Sequence, residues 1–241
     1  QKRLGRKTIS AKMLREAPAW VRAYDLLHDG AEDLRPLPFR ERRRRLEAWL
    51  EAHRPARMDL SEMIAFDDWD SLAALRAGAR AASQEGLMLK RWDSVYQGGR
   101  PLGPWWKWKR DPLTADCVLL YAQRGHGKRS SFYSDYTFGA WRDGADGLEL
   151  TPVGKAYSGY TDEELKRLDR WIRANTVQRY GPVRAVTPAL VFEVAFDAVQ
   201  ASTRHKSGVA MRFPRIKRIR WDKPAEEADR LETLERMIGV G

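Results

Sequence analysis

The sequence predicts an α+β chain of two parts, a mixed α/β segment over residues 1–110 and a small β-barrel domain over 111–241. Three observations carry this. Helix-period apolar spacing alternates with short strands in the first part, and period-two alternation broken by glycine turns fills the second. Between them stands Arg110-Asp111-Pro112, where proline disfavours helix at the residue before it and gives no N–H to a sheet.

In the first part, residues 10–16 form a short polar helix stopped by Pro18, and Val21 to Leu27 form a strand carrying Tyr24. Phe39 to Ala52 is helical, with apolar Leu46, Trp49 and Leu50 and the basic run Arg42-Arg43-Arg44-Arg45. That run suits a solvated helix face or a DNA-binding patch. Asp70 is placed to cap a helix over 71–82 by accepting backbone N–H bonds. A strand over Glu85-Gly86-Leu87-Met88-Leu89-Lys90, a Gly/Pro-rich turn from Gly98 to Pro104 and a strand over Trp106-Lys107-Trp108-Lys109 follow.

In the second part, Cys117 to Arg124 and Ser131 to Trp141 form a hairpin about Gly125 and Gly127. Asp143-Gly144 and Asp146-Gly147 turn the chain into Leu148 to Val153. Thr161-Asp162-Glu163-Glu164 is a capping box opening a helix to Ala174. Leu190, Phe192, Val194 and Phe196 alternate with Glu193 and Asp197 as a half-buried strand, and Val209 to Arg220 forms the last strand. Pro224 and Gly239 bound a terminal helix. Five or six strands with a helix between the third and fourth suit a small barrel.

Net charge is +11, from 44 basic and 33 acidic residues, which favours a polyanionic partner, nucleic acid before membrane. No apolar run approaches a membrane span. The single cysteine, Cys117, excludes an internal disulfide and a Cys-rich zinc site, and its apolar strand makes it a core residue. The scattered histidines lack metal-ligand spacing. A reducing, intracellular setting fits these features.

The last strand carries the strongest signal. Arg212-Phe213-Pro214-Arg215-Ile216-Lys217-Arg218-Ile219-Arg220-Trp221-Asp222-Lys223 holds six cations and one carboxylate. At strand spacing Arg212, Arg218 and Arg220 share a face with Asp222, and a polyphosphate would offset their mutual repulsion. Arg-Ile-Arg-x-Asp-Lys resembles motif VI of covalent nucleotidyltransferases, and the Arg-Phe-Pro-Arg before it resembles the DNA ligase version. Glu85 to Lys90 resembles motif IV and Lys107-Trp108-Lys109 motif V, in the family's order. Tyr24 with Gly30 and Asp33 resembles ligase motif IIIa. Ser94, Tyr96, Gly98 and Arg100 match the stretch between motifs IV and V, and Gly125-His126-Gly127-Lys128-Arg129 a turn early in the ligase's last domain. The chain thus resembles bacterial ATP-dependent DNA ligases of the larger kind, as the end of an adenylation domain followed by an OB-fold domain.

The resemblance implies a three-step reaction: a lysine takes AMP from ATP, AMP passes to the 5′-phosphate of a DNA nick, and the 3′-hydroxyl seals the strand and releases AMP. Lys107 and Lys109, ~7 Å apart on one side of a strand, would face the α-phosphate, with Trp106 and Trp108 against the core. Tyr24 would stack on adenine, with Met88 on the base's other face. Glu85 would help hold Mg²⁺ or Mn²⁺. Arg218, Arg220, Asp222 and Lys223 would orient the leaving pyrophosphate. Arg100 and Gly125, His126, Gly127, Lys128 and Arg129 would contact nicked duplex DNA, and Asp111 would be the hinge. The setting that the resemblance implies is cytoplasmic and nucleoid-associated. No Lys-x-Asp-Gly nucleophile motif occurs here. The expectation is therefore that an upstream part of the same protein supplies the lysine, and that this chain alone does not self-adenylate. An RNA ligase, an mRNA capping enzyme and a non-catalytic nucleic-acid-binding OB module are the alternatives.

Overall fold

The computed structural model describes residues 3, 6–82, 84–125, 127 and 130–239. The chain forms two compact units, one of Gln1–Ala77 with Glu85–Lys109, the other of Gly78–Gln84 with Arg110–Gly241. No helix among the described residues is long and apolar enough to cross a membrane.

The first unit is built from small pieces. Helix α1 (Ala11–Glu16) is capped by the Ser10 hydroxyl, which accepts from Met13 N at 3.2 Å. Strand β1 (Val21–Ala23) pairs in parallel with β4 (Met58–Leu60), and β2 (His28–Asp29) and β3 (Glu32–Asp33) form a short ribbon. The expected strand to Leu27 stops at Ala23, because Asp25 turns away from the ladder: its carboxylate accepts from Leu26 N at 2.9 Å and pairs with Arg42.

Helix α2 (Phe39–His53) follows Pro38 and ends at Arg54, a residue in the left-handed region with φ 41°. Its basic run is only half a solvated face, and its arginines are paired. Arg42 is fully buried and Arg43 nearly so, while Arg44 and Arg45 bond Glu41 and Glu32. Helix α3 (Trp69–Gly78) starts before the expected 71 and stops short of the expected 82. Its cap is Asp68, whose carboxylate accepts from Ser71 N at 2.7 Å, and Asp70 lies inside the first turn. Strands β5 (Gly86–Lys90) and β6 (Trp105–Lys109) close the unit as an antiparallel pair.

The second unit is a curled seven-stranded sheet with a helix, as the OB-like expectation requires. Its strands are β7 (Leu113–Arg124), β8 (Tyr133–Gly144), β9 (Gly147–Ala156), β10 (Thr176–Tyr180), β11 (Val183–Val186), β12 (Val191–Phe196) and β15 (Arg215–Arg220). The order along the sheet is β10-β11-β7-β12-β15, with β8 also on β7 and β9 on β8. A separate ribbon joins β13 (Ala198–Ala201) and β14 (Val209–Arg212). Helix α4 (Asp162–Ala174) falls between the third and fourth strands. It has the full capping box, with Thr161 Oγ1 accepting from Glu164 N at 3.2 Å and Glu164 accepting from Thr161 N at 2.7 Å. Leu165, Leu168 and Ile172 line its buried stripe, and Leu168 and Ile172 pack into the sheet's core with Phe138, Phe192 and Ile216.

Four expectations change here. The β10–β11 hairpin raises the strand count, its turn made by Gly181 at φ 55°. The last strand is two: Phe213 has φ 53° and Pro214 brings no N–H, so β14 and β15 join different sheets. β12 is buried on both faces at Val191, because the C-terminal segment lays Ala225 and Ala228 over it. That segment is not one helix but a 3₁₀ turn (Ala225–Glu227) and a short α5 (Leu231–Glu235). Asp229 interrupts it, donating its N–H to Asp116 O at 2.8 Å.

Candidate functional site

In the first unit the register of β5 and β6 decides which side chains share a face. Met88 pairs with Lys107, Gly86 with Lys109 and Lys90 with Trp105. Residues directly opposite in an antiparallel pair point the same way, so Met88, Lys90, Trp105, Lys107 and Lys109 lie together. Met88 and both motif V lysines are exposed. Glu85, just before β5, lies 3.4 Å from Lys109 Nζ through Oε2, both groups more than half exposed. Such a pair is worth little on its own.

The opposite face corrects one expectation. Trp108 is covered, with Trp69 edge-on at 6.3 Å and the Arg76 guanidinium 5.4 Å from its ring centre. Trp106 is half exposed, because these α3 contacts fall at the Trp108 end of the strand.

Tyr24 is exposed, and its ring carries the Lys90 ammonium at 4.4 Å. The same ammonium is 4.5 Å from the ring centres of Phe39 and of Trp105. Burial pushes Lys90 down to about 8; Asp25 opposes the shift, while Arg42 and Arg43 add to it. Lys90 ends the stretch that resembles motif IV, and the resemblance gives it no role. Its period-two spacing from Met88 was the available signal. Behind Tyr24, Asp25 receives Arg42 Nε and Nη2, both at 2.9 Å.

Arg100 is exposed in the turn before β6. Gly125 donates its N–H to Phe132 O at 3.1 Å, and Gly127 has φ 60°. His126, Lys128 and Arg129 lie outside the described residues. Asp111 stands between β6 and β7, its carbonyl accepting from Arg80 Nη2 at 2.6 Å.

In the second unit, motif VI occupies β15 and the turn after it. A bulge opposite Glu193 and Val194 leaves Lys217 as the extra residue, with Glu193 paired to Arg218 and Val194 to Ile216. Arg218 and Arg220 keep a common face, but Arg212, expected with them, belongs to β14. Arg220 donates to Asp222 at 2.9 Å through Nη2 and meets Asp116 Oδ2 at 3.4 Å through Nη1. Its guanidinium holds Asp222 down to about 2. Lys223 reaches the same Asp116 oxygen at 2.7 Å, and its N–H closes the turn onto Arg220 O at 3.3 Å. Asp116 was not foreseen: it precedes Arg220 by 104 residues, and only strand pairing brings them together.

A shallow cleft of about 200 Å³ lies here, lined by Thr114, Ala115, Asp116, Glu193, Arg220 and Asp229. A larger open hollow of about 540 Å³, between Leu14, Arg15, Pro18, Trp20 and Arg57, holds no carboxylate or nucleophile. Cys117 is buried, and burial pushes its thiol well up, as a core role requires. No group of three metal-ligating side chains occurs among the described residues. Glu85 could give a divalent ion one ligand only, the rest coming from phosphate and water, so these residues alone do not make a metal site.

Two family profiles match the chain, the ATP dependent DNA ligase domain over residues 1–109 and the ATP dependent DNA ligase C terminal region over 129–223. A probable DNA ligase of Koribacter versatilis is 41% identical over 98% of this chain and 44% of that protein. A DNA ligase of Haloferax volcanii is 36% identical over 98% of the chain and 40% of that protein. The chain thus spans less than half the length of either relative. Among solved structures, one from a study of Lig E DNA ligases aligns over 86% of this chain and 65% of its own, at 18% identity and a TM-score of 0.58, a likeness of fold.

Proposed function

Because the chain belongs to the ATP-dependent DNA ligase family, we propose that it is the part of a nick-sealing enzyme that carries motifs IIIa to VI. Its partners are ATP and nicked duplex DNA. The observation that carries the reading is the β5–β6 register, which sets Lys107, Lys109 and Met88 on one face with Glu85 beside it. The chain has no Lys-x-Asp-Gly, so the reading takes the nucleophilic lysine from elsewhere in the protein.

Each step is a displacement at phosphorus. Lysine Nζ attacks the α-phosphorus of ATP, a P–N bond forms, and the bond to the leaving pyrophosphate breaks. A 5′-phosphate oxygen then attacks the same phosphorus and the P–N bond breaks. Last, the 3′-oxygen attacks the 5′-phosphorus, its proton is lost, and AMP leaves. Positioning and charge stabilisation supply most of such catalysis.

Lys107 and Lys109 are proposed to bind the oxygens of the reacting phosphate. A compact ammonium can follow that phosphate as it changes partners. Tyr24 and Met88 would hold the adenine, and Arg218, Arg220 and Lys223 would draw off pyrophosphate. Glu85 would be one ligand of a divalent ion, which when bound neutralises phosphate charge. Arg100 and residues Gly125 to Arg129 are proposed contacts to the DNA backbone. Asp111 is the proposed hinge, and the cytoplasm the proposed setting.

The test is Lys107→Ala in the intact protein. Sealing of a pre-adenylated nick should fall by at least ~10²-fold, the scale for losing one electrostatic stabiliser. A rate near wild type would make Lys107 an ordinary surface lysine. Nicked RNA in place of DNA discriminates the RNA ligase reading.

A further inference from the structure

Under motif VI lies an arrangement that costs energy unless something uses it. Asp116 on β7 and Glu193 on β12 are direct cross-strand partners, and like charges so placed destabilise a sheet. Both are largely buried, with 15% and 21% of the side chain exposed. Four cations of β15 and its turn surround them: Lys217 bonds Glu193 at 2.7 Å, Arg218 is the strand partner of Glu193, and Arg220 and Lys223 converge on Asp116 Oδ2. Asp116 is itself fixed by reciprocal backbone contact with Asp229: its N–H donates to Asp229 Oδ2 at 2.8 Å, and its carbonyl accepts Asp229 N at 2.8 Å.

We infer that Asp116 is a positioning residue for the adenylation step, one carboxylate oxygen that holds the Arg220 guanidinium and the Lys223 ammonium together as a preset pair for the leaving pyrophosphate. This rests on the proposed role of motif VI in that step. The geometry favours it over a purely structural ion pair. Two cations share one oxygen, and each keeps further donors: Lys223 gives one of its three N–H groups to Asp116, and Arg220 gives three of its five to Asp222 and Asp116. A single mobile cation would lose time and orientation finding the phosphate, whereas a preorganised pair does not reorganise when charge develops on the leaving group.

The inference separates from simple electrostatics by sign. Asp116 is negative beside a site for a polyanion. If charge alone mattered, Asp116→Asn would speed adenylation. If Asp116 holds the cations in place, the same change slows it.

The experiment uses the full-length enzyme. Single-turnover formation of acid-stable enzyme-AMP from labelled ATP is measured for wild type, Asp116→Asn, Asp116→Glu and Arg220→Ala. Sealing of a pre-adenylated nick and the thermal midpoint are followed on the same preparations. Asp116→Asn should slow adenylation at least tenfold and sealing less than threefold. Asp116→Glu should regain at least threefold of the adenylation rate over the Asn variant. Unchanged or faster adenylation in Asp116→Asn overturns the inference. So does an equal loss in both steps, with or without a lowered midpoint, since that marks a structural ion pair. Arg220→Ala distinguishes the two levels: if it adenylates normally, the role given to motif VI is what has failed, whereas loss there with a normal Asp116→Asn removes Asp116 alone.

Discussion

Arg42→Met should be the most damaging single change in the first unit. The Arg42 side chain is 0% exposed and that of Asp25 is 4%. Its guanidinium gives two bonds of 2.9 Å to Asp25 and two more to the carbonyls of Leu37 at 2.5 Å and Ser94 at 3.2 Å. Methionine fills similar space and leaves a buried carboxylate and two carbonyls without these donors. Removing one partner of a buried pair costs about 3–5 kcal/mol. At roughly 4–8 °C per kcal/mol for a unit of about 100 residues, its melting transition should drop by well over 10 °C. Calorimetry on the full-length protein, with the unit assigned by proteolysis at the low-temperature shoulder, reads this directly. Arg42→Met with Asp25→Asn should recover much of the loss, because the second change removes the stranded charge. A cost under ~1 kcal/mol for Arg42→Met would mean that water reaches the pair and that the burial argument is wrong.

Two further outcomes follow from particular contacts. Gly159 has φ 100°, and a Cβ there would overlap the Ile216 carbonyl of β15; Gly159→Ala should therefore destabilise the second unit by at least ~2 kcal/mol, from strain plus clash, read as a lowered denaturant midpoint. Lys90 has its ammonium pushed from 10.5 to about 8, mainly by burial. Between those values the unfolded chain binds more protons than the folded one, so stability rises with pH through that window and the gain is lost as pH falls through about 8. The pH-dependent gain should be missing in Lys90→Met, and competitive amine labelling placing the Lys90 titration above 10 would contradict it.

Local chemistry made much of this molecule legible from its sequence. The capping box at Thr161 and Glu164, the period-two face of Lys107 and Lys109 and the turn at Gly147 all depend on near neighbours. What escaped depends on distant ones. Arg42 and Arg43 look solvated until Asp25 and the packing of α2 bury them. Lys90 gains its role from rings on three other segments. Asp116 looks like any polar residue in a strand until β12 and β15 fall beside it. The break at Phe213 and Pro214 was written in the proline, but six cations at strand spacing argued for continuity. Where a chain can bend without losing its charge pattern, the pattern alone conceals the bend.

β7 has a consequence for how force passes through the second unit. It starts directly after Pro112; one edge is bonded to β12 and then β11, and the other to Asp229 at Asp116 and to β8 from Val118 on. A strand so tied has no cheap partial opening: its amides should exchange only when the whole unit unfolds. Any turn of the backbone at residues 110–112 is therefore delivered to a stiff beam rather than absorbed by a soft one. Asp116 sits near the root of that beam, so the cations it touches would travel with the turn as a fixed set, like teeth cut into a key.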